Sequence, residues 1–185
     1  TLVQAQDYDE AKIKLKTIFN DFENDRETLL NLANVFLITK EVDSAKATYR
    51  KLAINTKDSI VALNGIALAE HIGGKDKEAL KISLLAKNKV SSLTDNELLE
   101  KTHERYAQAL IWNRKFVTAK KYIDSLSTQF GDRNWVLALK ATLGMYTGNI
   151  KMSLAHYDAI LASDSTSFDG NLGKANALLA LGHID

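Results

Sequence analysis

The chain has 185 residues, a net charge of +1, 45% hydrophobic and 25% charged residues, no Cys and no Pro. This is the composition of an ordinary globular chain. It excludes disulfides, thiol nucleophiles and Cys-ligated zinc, and it gives no positive field to gather nucleic acid or an anionic membrane. No run approaches the roughly 20 apolar residues of a membrane span. No leader is visible and the first residue is Thr1.

The apolar spacing is helical in chain order. In "ETLLNLANVFLI", Leu29, Leu32, Ala33 and Phe36 recur at steps of three and four. "YIDSLSTQF" and "SLAHYDAIL" behave the same way, and no segment alternates as a strand does. The fold class read from this is all-α. Asn24 with Glu27, and Thr94 with Glu97, are spaced as helix-start caps.

A repeat underlies the helices. Gly182 and Gly148 are 34 residues apart, and further steps of 34, 40, 34 and 34 reach Arg114, Gly74, Lys40 and Gln6. Each of these six lies in a short polar turn. Five residues later come Ala11, Ala45, Ala79, Ala119 and Ser153; seven residues before the last five turns stand Ala33, Ala67, Ala107, Ala141 and Ala175. Helices that cross closely admit only small side chains at the contact. Nine residues past the turns come Leu15, Tyr49, Ser83, Ile123 and Tyr157, and three further Ile18, Leu52, Ala86, Leu126 and Ile160, which fill the space between neighbouring pairs. The 40-residue step holds an insertion, placed at Ser91 to Asn96 and read as a long loop. The array is expected as 1–23 (second helix of a unit), 24–57, 58–96 with the insertion, 97–131, 132–165 and 166–185 (first helix of a truncated unit). The first and last pieces read as halves of helix pairs.

"QDYDEAKIKL" and "GNIKMSLAHYDAIL", with the 34-residue step and the small and large positions above, resemble the tetratricopeptide repeat over nearly the whole chain. The resemblance implies a right-handed α-α superhelix, a solenoid of about ten antiparallel helices. The chain departs from the family in three ways. The proline that closes each unit is replaced by Glu23, Lys57, Ser91, Gly131 and Ser165. Lys140 and Lys174 stand where the first helix has Leu. Asp76 and Ser83 stand at apolar positions of the third unit, which is expected to be the least tightly packed.

Motifs for chemistry are lacking. "HERYA", His103 to Ala107, has Ala107 where a zinc helix needs its second His. "GGKD" at Gly73 to Asp76 is too short for a phosphate loop and has no Ser or Thr after the Lys. The four His are scattered and no nucleophile arrangement suggests itself. Arg114, Lys115, Lys120 and Lys121 read as a solvated helix face. The expectation is a non-enzyme with no cofactor and no metal.

The resemblance implies that first helices line a concave face. The inward positions are Glu27, Leu30, Asn34, Leu37 and Ile38; Val61, Asn64, Leu68, His71 and Ile72; Lys101, Glu104, Gln108, Ile111 and Trp112; Trp135, Ala138, Thr142, Met145 and Tyr146; and Asp169, Leu172, Asn176, Leu179 and Ala180. Of these, Asn34, Asn64, His71, Gln108, Trp112, Trp135, Tyr146 and Asn176 are the candidate peptide-binding residues. Amides both donate and accept, which suits an extended backbone, and the aromatics suit an anchoring side chain. The alternative is that the aromatics pack between first helices while the amides face water. The Lys, Arg and two Asn with which some repeat families grip a C-terminal carboxylate are not reproduced.

The expected function is a non-catalytic scaffold for a protein or peptide partner, without nucleic acid and without membrane insertion of this segment. The alternatives are a spacer or assembly module attached to an outer-membrane barrel or another domain outside this sequence, and an accessory to an enzyme. Exposed end helices imply end-to-end self-association. "GNLGKANALLALGHID" is also similar to segments that precede outer-membrane barrels of the YaiO type, which implies a bacterial envelope and periplasmic setting; a cytoplasmic one is the alternative. The excess of Lys over Arg fits an AT-rich genome.

Overall fold

In a computed structural model, residues 10, 12–15, 17, 25–53, 56–90 and 95–182 are described. They form nine helices: α1 Arg26–Ile38, α2 Val42–Leu52, α3 Thr56–Ile72, α4 Asp76–Val90, α5 Asn96–Trp112, α6 Phe116–Phe130, α7 Asn134–Tyr146, α8 Ile150–Ser163 and α9 Phe168–Ala180. The described residues within 10–17 are also helical, and no strand occurs among the described residues. The chain forms two compact units, Thr1–Ala109 and Leu110–Asp185.

The repeat marker turns out to be a backbone conformation. Lys40, Gly74, Arg114, Gly148 and Gly182 all have positive φ, at 59°, 74°, 55°, 77° and 77°. Each sits just past the end of a first helix and turns the chain out of it. The amide of the following residue reaches back to the helix: Glu41 N donates to Phe36 O, Lys75 N to Glu70 O, Lys115 N to Leu110 O and Asn149 N to Gly144 O. Carbonyls that the helix end leaves open are thereby satisfied. Gln6 lies outside the described residues.

Two helix starts differ by one residue from the expected caps. Asp25 Oδ2 accepts from Thr28 N at 2.8 Å and Asp95 Oδ1 from Leu98 N at 3.0 Å. Asn24 and Thr94 lie outside the described residues. Counted from Asp25 and Asp95, the third helical residue is Thr28 or Leu98, so Glu27 and Glu97 are out of step for a capping box. The inserted residues fall between α4 and α5, and 91–94 lie outside the described residues.

In the first unit, Leu29, Leu32, Ala33, Phe36, Ala45, Tyr49, Leu52, Ala62, Ile66 and Ala69 form one core, drawn from α1, α2 and α3. Ile60, Ala86, Val90 and Leu98 form a second. In the second unit, Leu137, Ala141, Tyr157, Ile160 and Ala177 pack together from α7, α8 and α9. The small positions behave as contact points: Ala33, Ala67, Ala107, Ala141, Ala45, Ala79, Ala119 and Ser153 are all fully buried. Ser153 keeps its hydroxyl satisfied by donating to Ala141 O at 2.7 Å. Ala175 on α9 is exposed, unlike its four counterparts. Ala11 and Ile18 lie outside the described residues.

The third pair, α3 with α4, is not loose. Ser83 is fully buried beside Ala79 and Ala86, and its hydroxyl donates to Leu80 O at 3.0 Å, so the polar atom brings no unpaired group into the core. Asp76 leaves the core altogether and faces His71, with Oδ1 at 2.6 Å from Nδ1. The two lysines at apolar positions also find partners: Lys140 pairs with Asp132 at 2.6 Å and Lys174 with Asp158 at 2.7 Å.

Candidate functional site

Within the first unit, α1, α3 and α5 wall a groove of about 640 Å³. Residues from the three helices face it one turn apart, as the 3.6-residue period requires. Glu27, Leu30, Asn34 and Leu37 come from α1, Val61, Asn64 and Leu68 from α3, and Lys101 and Glu104 from α5. Ile111, expected to face inward as well, is fully buried in the second unit, because α5 carries apolar residues on more than one face near its end.

Two members of the floor come from unexpected directions. Tyr49 belongs to the second helix α2, yet it reaches the groove because Gly65 leaves room for its ring: a Cβ at 65 would lie 2.3 Å from Tyr49 Cζ. Its hydroxyl donates to Asn34 Oδ1 at 2.8 Å. Burial pushes the Tyr49 phenol up to about 12, against the pull of the Arg105 charge, so it stays a neutral donor. Arg105 lies mostly beneath the surface, where burial lowers its pKa and Glu104 and Tyr49 act in the opposite sense. Its Nη1 donates to Gln108 Oε1 at 2.8 Å, and Gln108 Nε2 donates to Glu104 Oε1 at 3.2 Å.

Asn64 Nδ2 donates to Thr102 Oγ1 at 2.8 Å, tying α3 to α5, and its Oδ1 has no hydrogen-bond partner among the described residues. The groove cations at the rim are engaged within the protein. Arg26 pairs with Asp58, Lys57 with Asp95 and Lys101 with Glu97, each at 2.7 Å. The first two pairs connect successive first-helix starts. The rim therefore presents mixed, neutralised charge.

Of the eight candidate residues, the groove brings together Asn34 and Asn64. Gln108 lies beside it, held by Arg105 and Glu104. His71 sits at the far end of α3 with Asp76. Trp112, Trp135, Tyr146 and Asn176 belong to the second unit. There Trp135 meets Phe130 edge-on with centroids 5.5 Å apart, and Tyr146 meets Phe116 at 6.4 Å. The Trp135 indole N–H is buried without an acceptor among the described residues. Tyr146 is half exposed and Asn176 is exposed. Sequence reasoning missed Tyr49, Gly65 and Arg105 in the groove, and also Arg26, Asn31, Lys57, Asp95, Glu97 and Leu98 along it. The signal for Gly65 was a glycine inside a helix, which usually marks close packing.

No group of His, Cys, Asp or Glu among the described residues is placed to hold a metal, and none of the described helices is long and apolar enough to cross a membrane. No protein-family model matches the sequence, and no curated protein matches it. Solved structures do. A thermophilic TPR protein from Thermus thermophilus superposes with a TM-score of 0.74 at 18% identity, covering 96% of this chain and 94% of that one.

The chain has the tetratricopeptide repeat fold.

The type IV pilus biogenesis factor PilW is similar with a TM-score of 0.68 at 14% identity, covering 98% of this chain and 82% of that one. A tetratricopeptide repeat protein from Parabacteroides merdae follows at 0.59 and 18%, covering 98% and 70%. At such identities the likeness establishes the all-α helical-repeat architecture of this chain.

Proposed function

We propose that the chain is a non-catalytic scaffold, a single repeat array that binds an extended protein segment along its first-helix face, with the α1–α3–α5 groove as the contact. The observation that carries this reading is the alignment of inward residues on three successive first helices around one continuous groove. Leu30, Leu37, Val61 and Leu68 supply apolar footing, and Asn34 and Asn64 supply amides between them. Asn34 retains its amino group after accepting from Tyr49, so it can donate to a backbone carbonyl. With the rim lysines and Arg26 occupied, the groove favours a segment read by backbone and apolar side chains over a strongly acidic one. Asn34 and Asn64 are its core contacts, with Gln108 and His71 as outlying members in the same unit; Trp112, Trp135, Tyr146 and Asn176 are candidate contacts of the second unit taken by itself.

A spacer role is the second reading. The cross-repeat pairs Arg26–Asp58 and Lys57–Asp95 support it, because they stiffen successive repeats without offering anything to a ligand.

A peptide-display selection against the intact chain, followed by Asn34→Ala and Leu30→Glu, separates the two. Selected peptides should lose about tenfold or more in affinity with each substitution. Failure to select any peptide, or affinities unchanged in both variants, would sink the groove and leave the spacer.

A further inference from the structure

The second unit carries a different cavity, of about 730 Å³, between α6, α7 and α8. Ile123 and Leu143 form its buried floor, and Phe116, Val117 and Met152 its sides. None of the inward positions expected for this repeat, Trp135, Ala138, Thr142, Met145 and Tyr146, lines it. It is therefore a face of its own, built mainly on second helices, and separate from the groove discussed above. Val117 is 73% exposed, an unusual setting for a branched apolar side chain beside other apolar groups.

We propose that this groove docks an acidic amphipathic helix of a partner protein. The apolar lining calls for an apolar ridge. Phe116, Lys120 and Ile123 lie at steps of four and three along α6, so the wall has helical relief into which another helix's ridge can fit. Met152 adds an adaptable contact.

The rim decides the charge of the partner. Among the described residues it holds Lys120, Lys121 and Lys140 against the carboxylate of Asp124. Lys120 is paired with Asp124 at 2.8 Å, and Lys140 with Asp132. Lys121 makes no ion pair among the described residues. With Lys120 and Lys140 paired, Lys121 supplies the rim's uncompensated positive charge, and it favours a ligand with acidic flanks over one with basic flanks. His156, on the α8 side, reads the same field. Burial is the main reason its pKa is lowered, the Lys140 charge adds to this, and Asp132 opposes it more weakly.

The test uses two fluorescein-labelled helical peptides with an identical leucine ridge, one flanked by Glu and the other by Lys, titrated with the intact chain by anisotropy. The Glu-flanked peptide should bind at least about tenfold tighter. Val117→Asp should weaken it by a similar factor, and Lys121→Glu should reverse the preference between the two peptides. Both positions are exposed, and circular dichroism verifies that each variant keeps its helices. Equal affinity for the two peptides, or indifference to Val117→Asp, overturns the proposal. So does binding to phosphatidylglycerol vesicles that is lost with the same two substitutions while neither peptide binds. The outcome is independent of the groove in the first unit, which neither substitution touches.

Discussion

The ring of Tyr49 occupies the space where a side chain at residue 65 would stand, with Cζ 2.3 Å from an ideal Cβ on Gly65. The same relationship holds between Tyr157 and Gly173, where the distance to Cε1 is 2.2 Å. In repeat register each tyrosine lies nine residues after one turn and each glycine nine before the next, so the pairs join successive repeats. Gly65→Ala should destabilise the protein by about 2 kcal/mol or more, the usual cost of overpacking a filled core. The helix propensity gained by Ala, roughly 1 kcal/mol, offsets only part of the clash. Urea unfolding measures the change, and Tyr49→Leu in the same chain should recover part of it. An unchanged midpoint for Gly65→Ala would mean that the ring can move aside freely.

Lys40 and Arg114 hold positive φ without being glycine. That conformation costs an ordinary residue roughly 1 kcal/mol that glycine does not incur. Lys40→Gly and Arg114→Gly should each stabilise the chain by about 0.5–1 kcal/mol, whereas Gly148→Ala should cost about 1 kcal/mol. Thermal denaturation of the three variants checks both directions, and destabilisation by both glycines would refute the argument.

Lys46 and Glu70 form an ion pair at 3.2 Å, with both side chains about one-tenth exposed. Lys46→Met should cost about 2 kcal/mol, because it strands a carboxylate of which one oxygen already lacks a partner among the described residues. Urea unfolding of the parent and the variant measures the loss, and an unchanged midpoint would contradict this origin.

Two histidines set the behaviour near neutrality. Burial, reinforced by Lys87, lowers the pKa of His103, and burial with Lys140 lowers that of His156. Both remain neutral in the folded chain at pH values where the unfolded chain takes up protons. Their stabilisation is present above the unfolded value of about 6.5 and is lost as pH falls through the depressed folded values. The urea midpoint should drop between about pH 7.5 and 5.5, and less so in His103→Gln. In stronger acid a second loss follows. The carboxyls of Asp25 and Asp95 are held below their ordinary value chiefly by the backbone amides of Thr28 and Leu98. Protonation removes those caps. A midpoint flat from pH 7.5 to 5.5 would show that the histidines are less enclosed than the structure places them.

How much of this was legible in the sequence depends on what each feature asks of a residue. The repeat is legible as a spacing and not as a motif, since Lys40 and Arg114 carry no chemical hint of the turn that Gly74, Gly148 and Gly182 announce. The small positions were legible because close helix contacts tolerate little else. The caps were displaced by one residue, since Asn24 and Asp25, like Thr94 and Asp95, are adjacent and equally able to accept an amide. In the groove, the first-helix positions followed from the family resemblance carried along the repeat register. Tyr49 did not, because its presence there depends on an empty space in a different repeat. Arg105 was hidden by register: it occupies the position at which Gly65 and Gly173 stand in other units, and nothing local marks that exchange.

The tyrosine and glycine joints also make the repeats non-interchangeable. The joint after α2 is a protrusion matched to a void, and the corresponding one after α8 is another, whereas Ser83 and Arg105 stand in the reverse arrangement of small before large. Excising residues 58–97 would bring the register of Tyr49 against that of Arg105, two bulky groups with no room for both. A chain built from units of one architecture thus carries a spelling of its own order, written in joints that differ from one repeat to the next, and it resists the shuffling that identical repeats would permit.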